Sequence, residues 1–485
     1  MTHGANSRPE PLRQRVYRQL RAAIETGTFA PGARLPPSRE HARVLGVARN
    51  TVLWALERLR VEGYVVARVG AGSYVAPGLP VLRAPSGRKV LQPMAALSAR
   101  GHAMADAVLR WRTAWAPDAA FRIGQPAIAE FPFAVWERLA RQTPRAQRIA
   151  TAQYLDDPAG HVPLREAISQ WLLVSRGIRC DASQVLVTSG SQQAIDLIAR
   201  LLLDVGDEVL VEDPGYPGIR ACLLGHGVQV RPVAVDDEGI AIGDGARRWP
   251  AARMAVVTPT HQFPLGVRMS LARRLALIGW AQANRAWIVE DDYDGEFQYG
   301  PHRIAALCSL PQAERVLYVG TFSKTLHPGL RLGFIVLPSA MVAAFAGAKA
   351  LSDRHSPGEV QDVLARFIAE GHLLRHLRRM RELYLQRQEV LIDTVASASG
   401  GAVRLAPSEQ GMHLLHELRA GRADAPLAAQ ALEAGVVLRP LSAYTIESRR
   451  RGWLFGYAGY DAQALRSAAR LVGPMLRRAA PHTAA

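Results

Sequence analysis

Lysine is scarce in this 485-residue sequence, although lysine and arginine together number 59. The only lysines are Lys89, Lys324 and Lys349. Because almost all basic charge is arginine, composition does not account for a lysine that stands between two apolar runs. Lys324 has that setting, so we treat it as a candidate for chemistry rather than for surface charge.

Cysteine and long apolar runs are also scarce. The three cysteines, Cys180, Cys222 and Cys308, are scattered and odd in number, which argues against a disulfide framework and favours a reducing compartment. No CxxC motif or Cys/His cluster indicates a metal site. The longest apolar stretch, residues 332–348, is divided by Pro338, and the first residues lack the apolar core of a signal peptide. We therefore expect a cytoplasmic protein.

Positive charge is abundant and is concentrated at the start of the chain. The formal net charge is +17 and the sequence pI is near 10.5, which favours an anionic partner such as nucleic acid. Residues 1–77 hold 12 arginines and no lysine against five glutamates and no aspartate, a balance of 12 − 5 = +7.

The pattern within residues 1–77 predicts a winged helix-turn-helix. Three segments with helical spacing of apolar residues precede two strand-like runs around Gly70-Ala71-Gly72. In such a module the helix after the turn enters the major groove with its N-terminal residues, here Arg49, Asn50 and Thr51. Arginine reads guanine and asparagine reads adenine, and Arg68 beside the wing is placed for phosphate or minor-groove contact.

The run LPPSREHARVLGVARNTVLWALERLRVEGYVVARVGAGSYVA resembles the winged helix-turn-helix of GntR-type bacterial regulators. This resemblance implies DNA contact by Arg39, Arg49, Asn50, Thr51 and the Gly70 to Gly72 wing tip. Leu53 stands where some relatives have a second arginine, so the bases that are read stay open. The alternative is a small helical domain with a solvated arginine face, or one that docks a protein.

Proline and glycine interrupt the first part of residues 78–118, which we interpret as a linker. Residues 119–478 then alternate apolar strand-like runs with helical stretches, which predicts an α/β domain with a largely parallel sheet covered on both faces. Ligands of such sheets bind beyond the carboxyl ends of the strands. The predicted strands are 185–188, 208–211, 228–233, 254–257, 287–290, 316–319 and 333–337.

Three of these strand ends carry candidate ligand-binding groups. Ser189-Gly190-Ser191-Gln192-Gln193 opens a helix and offers backbone N–H groups to a phosphate. Tyr216 follows a Pro-Gly turn, where it either stacks on a ring or is an ordinary turn aromatic. Lys324 lies between two buried strands, where a shielded amine can lose its proton and attack a carbonyl. Arg331 can grip a phosphate with two hydrogen bonds.

The segment GTFSKTLHPGLRLGF resembles the cofactor-lysine segment of fold-type I pyridoxal-phosphate (PLP) enzymes of the aminotransferase branch. The resemblance implies an aldimine at Lys324, with Asp291 at the cofactor ring nitrogen and Tyr293 at the ring oxygen. It further implies that Tyr154 reaches the cofactor of a partner subunit in a homodimer with shared sites. The remaining implied cofactor contacts are Gly190, Ser191, Gln192, Tyr216, Thr321, Ser323 and Arg331.

A GntR-like DNA-binding module followed by an aminotransferase-like domain resembles the MocR-type transcriptional regulators. This implies a DNA-binding regulator whose body senses PLP or an amine and thereby changes its affinity for a double-stranded operator. The alternative is an active aminotransferase with an accessory DNA-binding module, and a third possibility is a PLP-binding sensor without DNA.

Two departures from amino-acid aminotransferases argue against efficient turnover. Phe263 stands where many of these enzymes have an asparagine before a proline. Leu454 stands where they carry an arginine that binds the substrate carboxylate, and loss of that cation removes a charge-assisted anchor. Three successive arginines, Arg449 to Arg451, are close enough in sequence to compensate.

Overall fold

A computed structural model describes residues 11–68, 71–78, 97–111, 119–300, 304–419 and 421–479. The chain forms two compact units, residues 1–96 and 97–485. Gly70 and residues 79–96 and 112–118 of the predicted linker lie outside the described residues.

The first unit has three helices followed by a two-stranded antiparallel wing. These elements are α1 (Leu12–Glu25), α2 (Ser38–Leu45), α3 (Arg49–Val61), β1 (Val65–Arg68) and β2 (Gly72–Val75). Apolar side chains at helical spacing on α1 and α3, including Leu20, Val52 and Leu59, pack into one buried cluster with Val75 of the wing. Gly46 ends α2 in a left-handed conformation, with φ of 62°, and so allows the sharp turn into α3.

The second unit is built from 14 helices and 11 strands among its described residues. The helices are α4 (Ala99–Trp111), α5 (Phe133–Gln142), α6 (Arg145–Ala152), α7 (Val162–Arg176), α8 (Ser191–Leu202), α9 (Pro217–Gly225), α10 (Ile242–Arg248), α11 (Leu271–Ala283), α12 (Phe322–Thr325), α13 (Val342–Asp353), α14 (Gly358–Ala369), α15 (His372–Ala398), α16 (Ala425–Glu433) and α17 (Ala462–Ala479). The strands are β3 (Val185–Thr188), β4 (Glu208–Asp213), β5 (Gln229–Asp236), β6 (Gly239–Ile240), β7 (Met254–Val257), β8 (Trp287–Asp292), β9 (Val316–Thr321), β10 (Gly333–Val336), β11 (His413–Glu417), β12 (Arg439–Pro440) and β13 (Gly452–Gly456).

Eight of these strands form the central sheet, in the order β3-β10-β9-β8-β7-β4-β5-β6. β5, β4, β7, β8 and β9 are parallel, while β10 is antiparallel to both of its neighbours and β6 is antiparallel to β5. The central strands are buried along most of their length, as expected where helices cover both faces. The predicted α/β class with a largely parallel sheet is confirmed.

A second sheet, with strand order β11-β13-β12, is tied to the start of the described body. The Val437 amide donates to Ala120 O at 2.9 Å, and the Gly456 amide donates to Phe121 O at 3.0 Å. A side chain at Gly456 would meet the Arg122 carbonyl at 2.2 Å, so only glycine permits this approach. Residues 119–124 are thereby held along the edge of the small sheet.

Helix α4 lies within the stretch that we interpreted as a linker. It packs on α9, where the Met104 side chain occupies the space that a Cβ on Gly225 would fill. The boundaries at residues 77 and 118 stay a prediction. Among the helices that the structure describes, none combines the length and the apolar character needed to cross a membrane.

Candidate functional site

A cavity of about 350 Å³ opens at the carboxyl ends of the parallel strands of the central sheet. Both sheets contribute to its wall. Among the cofactor residues expected from the sequence, those that line the cavity are Gly190, Ser191, Gln192, Tyr216, Asp291, Tyr293, Thr321, Ser323, Lys324 and Arg331.

Lys324 lies on α12, the short helical turn that follows β9. Its Nζ donates to the Gly124 carbonyl at 2.7 Å. Burial lowers the pKa of Lys324, although the negative charges of Asp294 and Asp291 oppose this effect. A smaller fraction of this amine is therefore protonated than of a surface lysine, which favours attack on a carbonyl. Gly124 has φ of +66°, and a Cβ there would stand 2.9 Å from Nζ.

Asp291 lies on β8 with its side chain toward the cavity, whereas Asp292 points to the opposite face. Asp292 pairs with Arg176 at 2.7 Å and accepts a hydrogen bond from Tyr318 at 2.6 Å. Burial, reinforced by the nearby charges of Asp292, Asp294 and Glu212, raises the pKa of Asp291 to about 7. Its Oδ1 is buried and has no hydrogen-bond partner among the described residues.

Tyr293, two residues beyond Asp291, belongs to a hydrogen-bonded group with a histidine. Its hydroxyl lies 2.9 Å from His261 Nδ1, and the same nitrogen lies 2.9 Å from Asp294 Oδ2. Burial, with the charges of Asp294 and Asp291, raises the pKa of Tyr293 well above its ordinary value. The sequence did not single out His261 or Asp294, since neither contact follows from a local pattern.

The part of the cavity formed by Gly190, Ser191 and Arg331 offers groups suited to a phosphate. Gly190 has φ of 100° and precedes the first turn of α8, which begins at Ser191. The unpaired N–H groups of a helix N-terminus attract an anion. The Arg331 guanidinium donates to the Ser189 carbonyl at 2.8 Å, and its atoms approach within 3.8 to 3.9 Å of the position that a Cβ on Gly190 would take.

The other residues predicted to contact the cofactor also line this cavity. The Thr321 hydroxyl accepts from the Ser323 amide at 3.2 Å, which orients both residues at the start of α12. Gln192 donates its side-chain amide to Gly218 O at 3.0 Å. Tyr216 packs edge-on against Phe263, with ring centroids 5.7 Å apart, so the two aromatic rings form an apolar wall.

Tyr154 does not line this cavity. It is 79% exposed, its ring meets that of His355 edge-on at 6.0 Å, and the Arg354 guanidinium lies 5.6 Å from its centroid. The implied role of Tyr154 in the site of a partner subunit stays a prediction.

The cavity residues fit PLP. The buried carboxyl oxygen of Asp291 lacks a partner among the described residues, as a group facing a protonated ring nitrogen would. Lys324 supplies an amine for the cofactor aldehyde, and Arg331 with the Ser191 helix start supplies donors for its phosphate. The absence of a side chain at Gly190 leaves room for a phosphate to approach the backbone.

One further cluster has side-chain atoms close enough for a metal among the described residues, namely Asp196, Cys222 and His226. Asp196 already pairs with Arg200 and His226, both at 2.8 Å. Burial raises the pKa of Cys222 to about 12, which disfavours the thiolate that a metal requires.

The first unit exposes the residues predicted to contact DNA. Arg49 and Asn50 lie exposed in the first turn of α3, and Thr51 is half-buried beside them. Arg49 Nε donates to the Ser38 hydroxyl at 3.2 Å, which links the start of α3 to the start of α2. Arg39, on α2, is exposed as well.

The wing presents a second basic contact. The Arg68 guanidinium lies 4.5 Å from the centroid of Tyr74 on the adjacent strand. Gly72, the cross-strand partner of Arg68, has φ of +102°, a conformation that other residues rarely adopt. These contacts hold the cation at the tip of the wing.

Both units match known families. Residues 126–470 match the aminotransferase class I and II family, and residues 12–75 match the gntR family of bacterial regulatory proteins. The chain is 38% identical over 461 residues to the probable rhizopine catabolism regulatory protein MocR of Rhizobium meliloti, a match that covers 94% of this chain and 92% of that protein. The chain belongs to the MocR-type regulators.

Other similarities agree with this assignment. The pyridoxine biosynthesis transcriptional regulator PdxR of Corynebacterium glutamicum is 28% identical, with 94% of each chain covered. Among solved structures, the α-aminoadipate aminotransferase LysN of Thermus thermophilus is 26% identical, with a TM-score of 0.69 over 77% of this chain and 96% of that one. Membership in this family confirms the predicted regulator function and PLP as the cofactor. It favours a regulator over an active aminotransferase with an accessory DNA-binding module.

The three arginines close enough in sequence to compensate for the missing carboxylate anchor do not line the cavity. Arg449 is exposed, Arg450 pairs with Glu417, and Arg451 donates to backbone carbonyls. Two other arginines do line it, Arg122 and Arg439. Sequence reasoning missed both, because they lie far apart in the chain and outside the motif strands.

Proposed function

We propose that this MocR-type regulator holds PLP at Lys324 and binds operator DNA as a homodimer whose affinity changes with PLP or an amine effector. The observation that carries the proposal is the half-buried Lys324 amine, which lies in one cavity with Asp291, Tyr293 and Arg331. The same chain also has a GntR-type DNA-binding module. We place its action in the cytoplasm, where bacterial operators are found.

The residues of the cavity have separable roles in this proposal. Bound PLP supplies an aldehyde that amines can engage. Burial lowers the pKa of Lys324, which favours its unprotonated form, and the carboxyl of Asp291 holds the proton at the ring nitrogen. Arg331 and the start of α8 anchor the phosphate, while the ring of Tyr216 excludes water from one face of the cavity.

The reader contributes sequence recognition. Arg49 and Asn50 project from the first turn of α3, the position from which a recognition helix reaches base edges. Arg39, Thr51, Arg68 and Gly72 supply supporting contacts to phosphate or groove. Operators of dimeric readers have two half-sites, so a change in the arrangement of the dimer would change affinity.

Tyr154 supports a dimer with shared sites. Its aromatic ring is largely exposed and contacts Arg354 and His355. A side chain of this kind is suited to burial against a second copy. The dimer, the effector and the operator are parts of the proposal.

A DNA-shift assay on the protein's own upstream region tests the proposal. Full-length protein should bind that DNA with an affinity that changes on adding PLP or an amine, and the bound cofactor should absorb in the visible. Lys324→Ala should lose both the visible band and the response to PLP, whereas Lys89→Ala should keep both. Persistence of the band and the response in Lys324→Ala would remove the assignment.

The active-aminotransferase alternative has one favouring observation, which is the complete set of Lys324, Asp291 and Tyr293 in the cavity. It predicts many turnovers with an amino donor and a keto acceptor. The presence of Leu454 at the position of the substrate-carboxylate arginine predicts little or no turnover.

A further inference from the structure

One large apolar side chain is exposed in the part of α3 that carries the residues predicted to read bases. Leu53 is 42% exposed, whereas Val52 and Leu59 belong to the buried face of the helix. Its neighbours on the outer face, Arg49 and Asn50, are polar and exposed. A single exposed leucine is ordinary on a protein surface, so its role depends on what this face of α3 contacts.

Helix geometry places Leu53 on the same face as these two polar residues. Leu53 follows Asn50 by three residues and Arg49 by four, and side chains at these spacings are neighbours on a helix. The rise per residue puts Leu53 about 4.5 to 6 Å further along the axis, a distance of between one and two base pairs. A recognition helix that brings Arg49 and Asn50 to base edges therefore also brings Leu53 to a base pair beside theirs.

The next turn of the same face marks the end of the surface suited to bases. Glu57, four residues beyond Leu53, is exposed and pairs with Arg60 at 2.8 Å. This contact joins the two charged side chains on the surface of α3, and an acidic group opposes the approach of DNA phosphates. Leu53 is thus the last side chain on this face before the acidic group.

The chemistry of leucine selects among the base edges of the major groove. Leucine has no donor or acceptor, so it cannot form the paired hydrogen bonds by which polar side chains read guanine or adenine. A polar base edge covered by leucine loses its water without gaining a new partner, which costs affinity. Among the four bases only thymine presents a methyl group in this groove, and burial of that methyl group against leucine is favourable.

We propose that Leu53 reads a thymine in each operator half-site by contact with the C5-methyl group. This proposal rests on the proposed function and adds to it one position of the operator sequence, a thymine beside the base pairs that Arg49 and Asn50 contact. The same contact disfavours guanine and cytosine at that position.

Removal of single methyl groups from the operator tests the proposal. The region that full-length, PLP-loaded protein protects in its own upstream DNA is mapped by footprinting. Each thymine of that region is then replaced singly by deoxyuridine, which lacks only the C5-methyl group, and affinity is measured in DNA-shift titrations. At one thymine of each half-site the replacement should weaken wild-type binding about 3- to 5-fold. Leu53→Ala should bind the two DNAs equally.

Val61→Ala is the matched control. Val61 is an apolar residue of the same helix and is 78% exposed, but it lies about 12 Å further along the axis than Leu53, beyond Glu57. This variant should keep the wild-type response to deoxyuridine. Leu53→Arg should gain a function, since arginine reads guanine. It should prefer guanine over thymine at the same position, a result that misfolding cannot give.

Operator binding that no single deoxyuridine weakens would overturn the proposal. A deoxyuridine effect that Leu53→Ala retains, or that Val61→Ala also loses, would overturn it as well, and so would a preference for thymine that persists in Leu53→Arg. Each of these outcomes leaves PLP-dependent operator binding in place, whereas the absence of any protected region would count against the proposed function itself.

Discussion

Replacement of Asp291 by asparagine should stabilise the cofactor-free protein at neutral pH while weakening its hold on PLP. The carboxyl is buried, lies near three other carboxyl groups and has a pKa of about 7. Asparagine is neutral and similar in size, so Asp291→Asn removes the ionisation without opening space.

The size of the effect follows from the two protonation states. An aspartate in an unfolded chain has a pKa of about 3.9. The folded protein therefore binds a proton that the unfolded chain has released between pH 4 and pH 7, so stability falls as pH rises through this window. Three pH units at about 1.4 kcal/mol each give a ceiling of about 4 kcal/mol for the loss. Asp291→Asn should not show this pH-dependent loss of stability.

Urea unfolding, followed by tryptophan fluorescence from pH 4 to pH 8, measures the difference. The gap in unfolding free energy between Asp291→Asn and the wild type should widen from pH 4 to pH 7 and then level off. Asp237→Asn is the matched control, because Asp237 is exposed, and its gap should stay flat. Saturating PLP should stabilise the wild type more than Asp291→Asn, because only the carboxylate can pair with a protonated ring nitrogen.

Parallel pH profiles for the wild type and Asp291→Asn would refute the reasoning. They would mean that Asp291 is already ionised in the folded protein without cofactor. Its buried oxygen would then need a partner other than the ring nitrogen of PLP.

Arg331→Gln should weaken PLP binding about 10- to 100-fold, since it removes a charge-assisted contact, and should leave binding of pyridoxal, which lacks the phosphate, nearly unchanged in absorbance titrations. Arg49→Ala should lower operator affinity by about 1–3 kcal/mol in DNA-shift titrations, whereas Arg60→Ala, at the far end of α3 and paired with Glu57, should leave it unchanged. Arg176→Met should destabilise the protein by about 3–5 kcal/mol in urea unfolding, because Asp292 would be left buried without its partner. Three outcomes would contradict these expectations. They are equal losses of affinity for pyridoxal and PLP in Arg331→Gln, equal operator affinities of the two α3 variants, and an unfolding midpoint unchanged by Arg176→Met.

Strand periodicity and motif order made much of the fold predictable. The apolar runs at 185–188 and 254–257 are strands with the predicted bounds, and β8 and β9 extend two residues further. Polar residues that follow such strands meet at one edge of a parallel sheet, so Lys324 and Asp291 could be assigned to a single cavity.

The rest depends on contacts between distant segments. Arg122 and Arg439 are separated by more than 300 residues, and no local pattern relates them. Arg449 to Arg451 lie close to the lost anchor in sequence, yet none of the three lines the cavity, whereas Arg122 and Arg439 do. His261 follows β7 in the chain and meets Tyr293 and Asp294 because β7 is the neighbour of β8 in the sheet.

The alternation of side chains along β8 gives two adjacent aspartates different chemistry. Asp291 and Asp292 have the same side chain, and only the pairing of β8 with β7 and β9 directs one to the cavity and the other to Arg176. Insertion or deletion of a single residue within this strand would exchange their environments. Length changes within β8 should therefore not be tolerated. Natural variants that alter the spacing between Trp287 and Asp291 would be expected to lose cofactor binding even with every ligand-binding residue retained.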